Sequence, residues 1–514
     1  MPRLRPQPLL AALLLAGLTA LPGAAQDLKD FEARTTVRVL PNGWTFILVR
    51  RPEAPVFSFQ TIANVGSAQE VTGITGLAHM FEHMAFKGTD TIGTRNYPEE
   101  KKAIAALETA YQAYQAARLA PRPDAKQVQA LLAEFKQRQA AAATYVIKNQ
   151  FDDILTGAGG VDLNAFTNSD ETGYYYSLPA NQVELFAYLE SERFRNPVFR
   201  DFYEERDVVF EERRLRTESQ PFGRLIEQLV TTAYMAHPYQ HPTVGWASDL
   251  RSFTLTDAES FYRAYYAPSN LVTAIVGDID PRTLVPLLDE YFGRIPARPG
   301  PQPLRTVEPP QTAERTAVLV EPSQPIYLEA YHRPPATDPE SEVYDAIDDV
   351  LSNGPTSRLY RALVRDQKTA IQVQSFSGFP GQKYPNLEVI FAFPAVGSSN
   401  EKVQAGIRAQ LERLKSEDVT DEELARFKTR ARADLVRGLR SNRGLAGQLA
   451  EAQRLYGDWR ELFRSLDRIE KVTKADIRRV AGRTFEASNR TVAMITTAGQ
   501  APAAPAARAS QGSR

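Results

Sequence analysis

The chain contains no cysteine among its 514 residues. This absence excludes disulfide bonds, thiolate metal sites and cysteine nucleophiles. A charge excess is also missing, because 61 Lys and Arg residues face 62 Asp and Glu residues and leave a formal net charge of −1. A surface for nucleic acid or a polybasic membrane patch is therefore not expected. After the first apolar run, none approaches the roughly 18 residues that a membrane-spanning helix needs.

That first run belongs to an N-terminus with the composition of a secretory signal peptide. Arg3 and Arg5 precede apolar residues from Leu9 to Leu21, and small residues follow up to Ala25. The run is short for a membrane span, so we expect cleavage near Ala25, with an uncleaved anchor as the alternative. The mature chain, without a membrane segment, is then expected in the periplasm, with secretion as the other destination.

The stretch from Gly76 to Met84 predicts a helix that carries metal-binding side chains. His79 and His83 are four residues apart, so both imidazoles lie on one helix face and reach one metal ion. Glu82 lies on nearly the same face, which brings a carboxylate beside the metal without making it a ligand. This H-x-x-E-H spacing reverses the more common H-E-x-x-H. The alternative is a buried helix on which two ordinary histidines pack.

A second predicted helix, from Asp201 to Arg216, offers a carboxylate as the third ligand. At about 100° per residue it has one apolar arc, formed by Phe202, Val208, Val209 and Leu215. Glu205 and Glu212 lie within this arc, where a carboxylate is costly to bury unless it is paired or bound to a metal. The pattern does not choose between these two acids, and a charge-rich surface helix is the alternative.

Strand and helix signals recur in a similar order on the two sides of a proline-rich linker. We place a first domain at residues 32–297, the linker at 298–314 and a second domain at 315–497, followed by a disordered tail at 498–514. Each domain mixes strands with amphipathic helices. This order predicts an α+β fold of two similar domains that arose by duplication.

Residues 98–152 differ from their surroundings because they are rich in Ala, Gln, Lys and Glu. Apolar residues recur at helical spacing on both sides of Pro121 and Pro123, which predicts an αα-hairpin inserted into the first domain. One hypothesis is that the insertion is only a structural spacer. The other is that it helps to hold a partner or to gate the site.

Together these features resemble the pitrilysin-like zinc peptidases, which form the M16 or inverzincin family. The likeness extends over nearly the whole mature chain and rests on four motifs: His79-x-x-Glu82-His83, Asn164-Ala165-x-Thr167, Glu205-Arg206-x5-Glu212 and Tyr266-x-Pro-x-Asn-Leu271. The resemblance implies a bacterial exported peptidase. It also implies that each domain is a largely antiparallel sheet with helices packed on it, as in mitochondrial processing peptidase.

The resemblance assigns a role to each candidate residue. It implies one Zn²⁺ per chain, whose ligands are His79, His83 and Glu212. Glu82 is then the general base, and Glu205 is an acid that supports catalysis without binding the metal. Asn164 and Ala165 belong to a strand that is expected to bind the peptide substrate.

The chain departs from the family pattern in two places. Its third ligand lies well over a hundred residues after His83, which is farther than is usual in the family. The insertion accounts for the additional residues, because loops tolerate added length. The family also uses an arginine and, seven residues later, a tyrosine that contact the bound peptide. Arg365 fits the arginine, but Gln372 occupies the tyrosine position. The resemblance offers a remedy in a second M16 chain that supplies this pair, so that a heterodimer or homodimer closes like a clamshell.

We therefore expect a zinc-dependent endopeptidase that hydrolyses unfolded peptides or small proteins as the metal-bearing subunit of such a dimer. The first alternative is a non-catalytic M16-like subunit or peptide-binding partner, which Gln372 favours. The second is an exported zinc-binding or chaperone-like protein without hydrolysis. The intact metal motif favours the peptidase.

Overall fold

The computed structural model describes residues 28–499. The predicted signal peptide at 1–25 lies outside this range, and so does the predicted tail apart from Ala498 and Gly499. Among the described residues, no helix combines the length and the apolar character that are needed to cross a membrane.

The described part of the chain forms two β-sheets. The strands of the first sheet are β1 (Thr35–Val39), β2 (Thr45–Arg50), β3 (Val56–Ala63), β4 (Val161–Thr167), β5 (Thr172–Pro179) and β6 (Leu271–Gly277). The strands of the second sheet are β7 (Arg315–Glu321), β8 (Ile326–Arg333), β9 (Ala370–Phe379), β10 (Asn386–Pro394) and β11 (Arg490–Thr497). Their spatial orders are β1-β2-β6-β3-β5-β4 and β7-β11-β8-β10-β9.

The two sheets share one topology. β2 is parallel to β6 as β7 is parallel to β11, and the other neighbours are antiparallel in both sheets. β1 is an added edge strand that pairs with β2 across the turn at Asn42 and Gly43, where Gly43 has a φ of 96°. The predicted α+β fold is confirmed, and the shared topology is the one that a duplication would produce.

Helices cover the sheets on both sides of the linker. Those before it are α1 (Leu28–Arg34), α2 (Leu77–Met84), α3 (Tyr97–Arg118), α4 (Ala125–Ala143), α5 (Gln150–Gly157), α6 (Val183–Arg195), α7 (Phe202–Arg213), α8 (Pro221–Ala233), α9 (Ala247–Leu250), α10 (Leu255–Tyr265) and α11 (Pro281–Tyr291). Those after it are α12 (Ser341–Ser352), α13 (Asn400–Ser416), α14 (Asp421–Arg440), α15 (Asn442–Tyr456), α16 (Glu461–Lys471) and α17 (Lys474–Thr484). Wider π-helical turns occur at Arg214–Glu218 and Tyr360–Asp366.

The insertion forms the predicted αα-hairpin from α3 and α4. A side chain caps the start of each helix, since Asn96 accepts a hydrogen bond from the N–H of Glu99 and Asp124 accepts one from the N–H of Lys126. Such caps satisfy donors that the first turn of a helix leaves free. The two helices pack along each other, and the ring of Phe135 in α4 is centred 5.1 Å from that of Tyr111 in α3.

Two helices each pack on the β-sheet that belongs to the other side of the linker. α8 lies before the linker, yet its Leu225 and Leu229 are buried in one core with strands β8, β10 and β11. α15 lies after the linker, yet its Leu445 and Leu449 are buried against β2, β3 and β6. The sequence analysis overlooked α15 and α16. Through this exchange of helices, two apolar cores join the halves of the protein. The domain boundaries at 297 and 315 stay predictions.

Leu449→Ala is expected to destabilise the protein by about 2–5 kcal/mol, because it opens a cavity between the halves. Leu449 is 0% exposed in the core that α15 forms with the first sheet. Leu119→Ala is the matched control, since Leu119 is 63% exposed and a surface change of this kind costs at most about 0.5 kcal/mol. The urea-unfolding midpoint measures both. Equal midpoints for the two variants would contradict the packing described above.

Candidate metal centre

Two carboxylates from outside α2 fix its N-terminal end. Glu70 accepts hydrogen bonds from the backbone N–H groups of Gly76 and Ala78 at 2.8 and 2.7 Å. Asp249 accepts one from the hydroxyl of Thr75 at 2.7 Å. These bonds satisfy donors at the helix start and set the position of the residues that follow. The sequence analysis missed both acids because neither belongs to a local motif.

The structure brings His79, His83 and Glu212 together. Glu212 Oε2 lies 3.6 Å from His79 Nε2 and 3.5 Å from His83 Nε2. Among residues 28–499, only these three offer His, Cys, Asp or Glu ligand atoms that all lie within 4.8 Å of one another. Atoms bound at about 2.1 Å to a tetrahedral zinc lie about 3.4 Å apart, so this donor set fits that ion. Their role as ligands stays a prediction.

Glu205 occupies a different place from Glu212. Its Oε2 atom lies 3.4 Å from Nδ1 of His83, the ring nitrogen that faces away from Glu212. Its other oxygen is bonded to the ammonium of Lys87. A carboxylate on the far nitrogen of a ligand histidine orients the ring and fixes its tautomer. The geometry therefore separates the two acids between which the helix arc could not choose.

The prediction of one apolar arc on this helix is wrong for two of its four residues. Phe202 and Val209 are buried, but Val208 is 47% exposed and Leu215 is 63% exposed. The regular helix ends at Arg213 and a π-helical turn follows, so the period of 100° per residue does not extend to Leu215. The buried face of α7 is consequently narrow, and Glu205 and Glu212 are partly exposed acids that reach the histidines.

The two imidazoles differ in protonation in the metal-free protein. Burial is the largest influence on His79 and, against the attraction of Glu212, lowers its pKa to about 4. Burial acts in the same direction on His83, but the hydrogen bonds with Glu205 and Glu212 outweigh it and raise the pKa to about 9. Burial also raises the pKa of Glu82. At neutral pH a metal ion must therefore displace one proton, from His83.

The group lies beside the edge of the first sheet. β4 is the edge strand there, so one side of its backbone has no neighbouring strand among the described residues. Asn164 is exposed and Ala165 is buried on this strand. Both residues line a cavity of about 330 Å³ together with Glu82 and His83. An extended chain laid along β4 would therefore pass next to Glu82.

Arg365 and Gln372 lie in the second half, on the π-helical turn and on β9. The guanidinium of Arg365 is exposed and pairs with the carboxylate of the neighbouring Asp366 at 2.6 Å. Neither residue lines the cavity beside Glu82. The structure thus does not bring Arg365 to the candidate centre, and its contact with a substrate stays a prediction.

Comparison with known proteins agrees with the fold and the motif. The family model described as insulinase (peptidase family M16) matches residues 45–141, and the one described as peptidase M16 inactive domain matches residues 252–431. The zinc protease PqqE of Helicobacter pylori is 29% identical over 457 residues, which cover 86% of this chain and 87% of that protein.

Solved structures give the same result. A protease from Helicobacter pylori matches with a TM-score of 0.75 and 26% identity, over 90% of this chain and 99% of that one. The periplasmic protease PqqL of Escherichia coli matches with a TM-score of 0.66 and 17% identity, over 90% of this chain but 47% of that one. The second likeness shows the fold alone.

Fold and site define a class: an α+β protein of two repeated sheets with an inverted H-x-x-E-H helix beside an edge strand. The chain belongs to the M16 peptidase family. The resemblance stated from the sequence is thereby confirmed at the level of the family, whose homologues include proteins named zinc protease.

Proposed function

We propose that this chain is a zinc-dependent endopeptidase that acts on unfolded peptides or small proteins. One observation carries the proposal: His79, His83 and Glu212 converge while Glu82 stays beside them without joining the set, its Oε2 4.0 Å from His79 Nε2. Three protein ligands leave one tetrahedral position open, which distinguishes a catalytic zinc site from a structural one. The name of the relative from Helicobacter pylori supports the same activity.

Each residue of the site has its own role in the proposed reaction. His79, His83 and Glu212 would hold the ion, and zinc supplies a Lewis acid that polarises a carbonyl and makes water more acidic. Glu82 accepts a proton from the attacking water and delivers it to the leaving amine. Glu205 holds the ring of His83 in position through Nδ1, and Lys87 holds Glu205 in turn.

The edge strand would bind the substrate. A peptide in extended form adds to β4 through main-chain hydrogen bonds, in which Asn164 and Ala165 take part. Such pairing needs an unfolded segment and reads little of its sequence. Folded proteins present few free segments, so we expect unfolded peptides and small proteins to be cleaved.

A non-catalytic subunit is the second candidate. Gln372 stands where the family resemblance expects a tyrosine, and the model that matches residues 252–431 is described as an inactive domain. An amide does not reproduce a phenol hydroxyl on a rigid ring. In this alternative the chain binds peptide or zinc and leaves hydrolysis to a partner.

We further propose a partner of the same family. The match to the PqqL protease covers 90% of this chain but only 47% of that longer chain, so a protein of this fold exists at about twice the length. Two chains, whether identical or related, would enclose a peptide as a clamshell. A second chain with the Arg and Tyr pair would complete the site.

We place the mature protein in the periplasm. The residues at 1–25 have the pattern of a signal peptide, with Arg3 and Arg5 before an apolar run and small residues after it. Cell fractionation and N-terminal sequencing of the mature protein test this placement, with a new N-terminus near residue 26 as the expected result.

Zinc content and peptide cleavage, measured on the same sample, test the proposed function. The proposal expects one zinc per chain and cleavage that stops with a chelator and returns with added zinc. Assays of the chain alone and with a related chain that carries the Arg and Tyr pair distinguish the two candidates. Bound zinc without cleavage in either assay would favour the non-catalytic subunit.

Glu205→Gln is expected to weaken zinc binding about 10- to 100-fold, because the amide holds the ring of His83 less firmly than a carboxylate does. A competition titration with a chromophoric chelator measures the affinity. Asp207→Asn is the matched control on the same helix, since its carboxylate is 73% exposed and pairs with the neighbouring Arg206. Unchanged zinc affinity in the Glu205 variant would contradict the role given to this acid.

A further inference from the structure

The last part of the insertion forms a wall of the cavity beside the candidate metal centre. Residues 146–152, which follow α4, line this cavity of about 330 Å³ together with Glu82 and His83. The insertion is therefore more than a distant spacer. A substrate side chain that enters the cavity from a peptide on β4 would contact this wall.

The wall is held rigidly to the loop that follows α2. The N–H of Arg95 donates to the carbonyl of Tyr145 at 2.8 Å, and the N–H of Ile147 donates to the carbonyl of Gly93 at 2.9 Å. These two bonds join the segment just before the insertion to a segment near its end, in an antiparallel bridge between Thr94 and Val146. The segment is thus in place before any substrate arrives, which is the condition for selectivity without a large ordering cost.

The insertion also supports the helix that carries Glu205 and Glu212. The ring of Tyr111 in α3 is centred 4.1 Å from the ring of Tyr203 in α7. The guanidinium of Arg206 lies 4.9 Å from the first ring centre and 5.0 Å from the second. Because these contacts are buried, α3 of the insertion and α7 form one packed unit.

The cations of this cavity are already paired. Lys87 is bonded to Glu205, and Lys148 lies 3.2 Å from Glu204. Arg200, a third cation of the lining, is buried in an ion pair with Glu100. No free positive charge is therefore left in the lining, apart from the metal ion that the site is proposed to hold.

Two carboxylates of the lining have no such partner. Asp152 and Asp201 both line the cavity, and neither has a cation within 4.0 Å among the described residues. Burial is the largest influence on the pKa of each carboxyl and raises both values. It outweighs the attraction of more distant cations, which are Arg193 and Lys87 for Asp152 and Lys87, Lys148 and Arg200 for Asp201. A carboxylate in this state gains from a cation brought by a ligand. The cavity is thus suited to a positive group.

Part of the lining is apolar. Phe86 and Phe151 contact each other at this place, with ring centres 6.4 Å apart. Arg193 lies buried against both rings, and its charge is compensated by Glu190 at 3.0 Å. A lysine or arginine side chain combines an aliphatic stem with a cationic end and can use both kinds of surface.

We propose that the helical insertion selects substrates: its wall at residues 146–152, through Asp152 and together with Asp201, accepts a lysine or arginine side chain next to the scissile bond. This inference rests on the proposed peptidase function and names a substrate class for it. Asp152 is here a specificity-determining residue without a part in the chemistry. The insertion thereby makes an otherwise permissive strand-pairing site selective.

Cleavage sites in a fully unfolded protein substrate, mapped by mass spectrometry, test the inference. The unaltered chain is expected to show Lys and Arg enriched at one position beside the cleaved bond. Two peptides that differ only in having Lys or Glu at that position are then compared. The kcat/KM for the Lys peptide divided by that for the Glu peptide is the Lys-to-Glu ratio. Asp152→Asn is expected to lower this ratio about fivefold or more, the effect of one charge at short range.

Two further variants sharpen the test. Lys148→Glu leaves Glu204 unpaired and is expected to raise the Lys-to-Glu ratio. Asp153→Asn is the matched control, because this neighbouring acid is exposed and does not line the cavity. Its ratio is expected to equal that of the unaltered chain.

The outcomes separate the inference from the proposed function. An unchanged Lys-to-Glu ratio in the Asp152→Asn protein overturns the inference about selectivity. Cleavage of any of the peptides supports the proposed peptidase function in either case. If no peptide is cleaved, the peptidase proposal fails, and equilibrium binding of the Lys and Glu peptides to the zinc-loaded chain decides the inference. A binding preference for Lys that Asp152→Asn removes supports it, and equal binding of both peptides overturns it.

Discussion

A Glu82→Gln protein is expected to cleave peptides about 10²- to 10⁴-fold more slowly than the unaltered chain while it keeps its zinc. The substitution preserves size and hydrogen bonding but removes the group that accepts a proton. Glu82 lies beside the donor set and outside it, with 21% of its side chain exposed. The loss is therefore expected in kcat, with little change in the affinity for peptide.

Measurement of kcat, KM and zinc content on one preparation checks this expectation. Glu211→Gln is the control, since Glu211 is 55% exposed on the helix that also carries Glu212. A Glu82→Gln protein with full activity would remove the general base from the mechanism. Loss of zinc in that protein would instead make Glu82 a ligand.

The second large effect is expected at the third ligand. Glu212→Gln should lower zinc affinity by more than the 10- to 100-fold loss expected for acids that only support a ligand. An amide brings no negative charge to the ion, and among residues 28–499 Glu212 is the only acid that faces Nε2 of both histidines within 3.6 Å.

Zinc retained after dialysis, measured by atomic absorption, reports this loss. The unaltered chain and the Glu211→Gln control should keep about one ion per chain, and the Glu212→Gln protein should keep almost none. Full zinc occupancy in the Glu212→Gln protein would contradict the ligand set. Glu205 would then be the next acid to replace.

Local patterns predicted most of the fold. The stretch from Gly76 to Met84 predicted α2, and helical spacing around Pro121 and Pro123 predicted the αα-hairpin of α3 and α4. In each case, the signal lies within one stretch of chain. A turn residue or a repeated apolar spacing is enough to specify such an element.

The missed features depend on distant contacts. α15 contains two glycines, Gly444 and Gly447, which weaken a helical signal, and its apolar face is buried on a sheet more than a hundred residues away in sequence. Asp249 in α9 anchors the start of α2 through the hydroxyl of Thr75, which is 174 residues away in sequence. Nothing near these residues in sequence indicates the groups that they bind.

In the candidate site, too, the local features could be predicted from the sequence and the features that depend on distant contacts could not. The spacing of His79, Glu82 and His83 is local, so the sequence specified that part directly. The helix pattern did not choose between Glu205 and Glu212. The family resemblance implied Glu212, and the distances between α2 and α7 separate the two acids independently. The position of the insertion's wall beside Glu82 has no sequence signal, because it depends on how residues 93–95 and 145–147 pair.

A crystal structure of the zinc-loaded protein, with diffraction measured on both sides of the zinc absorption edge, tests the central claim most directly. The account predicts one anomalous peak within about 2.0–2.2 Å of His79 Nε2, His83 Nε2 and a carboxylate oxygen of Glu212. A peak that lies elsewhere, or one that Glu205 binds in place of Glu212, would contradict it.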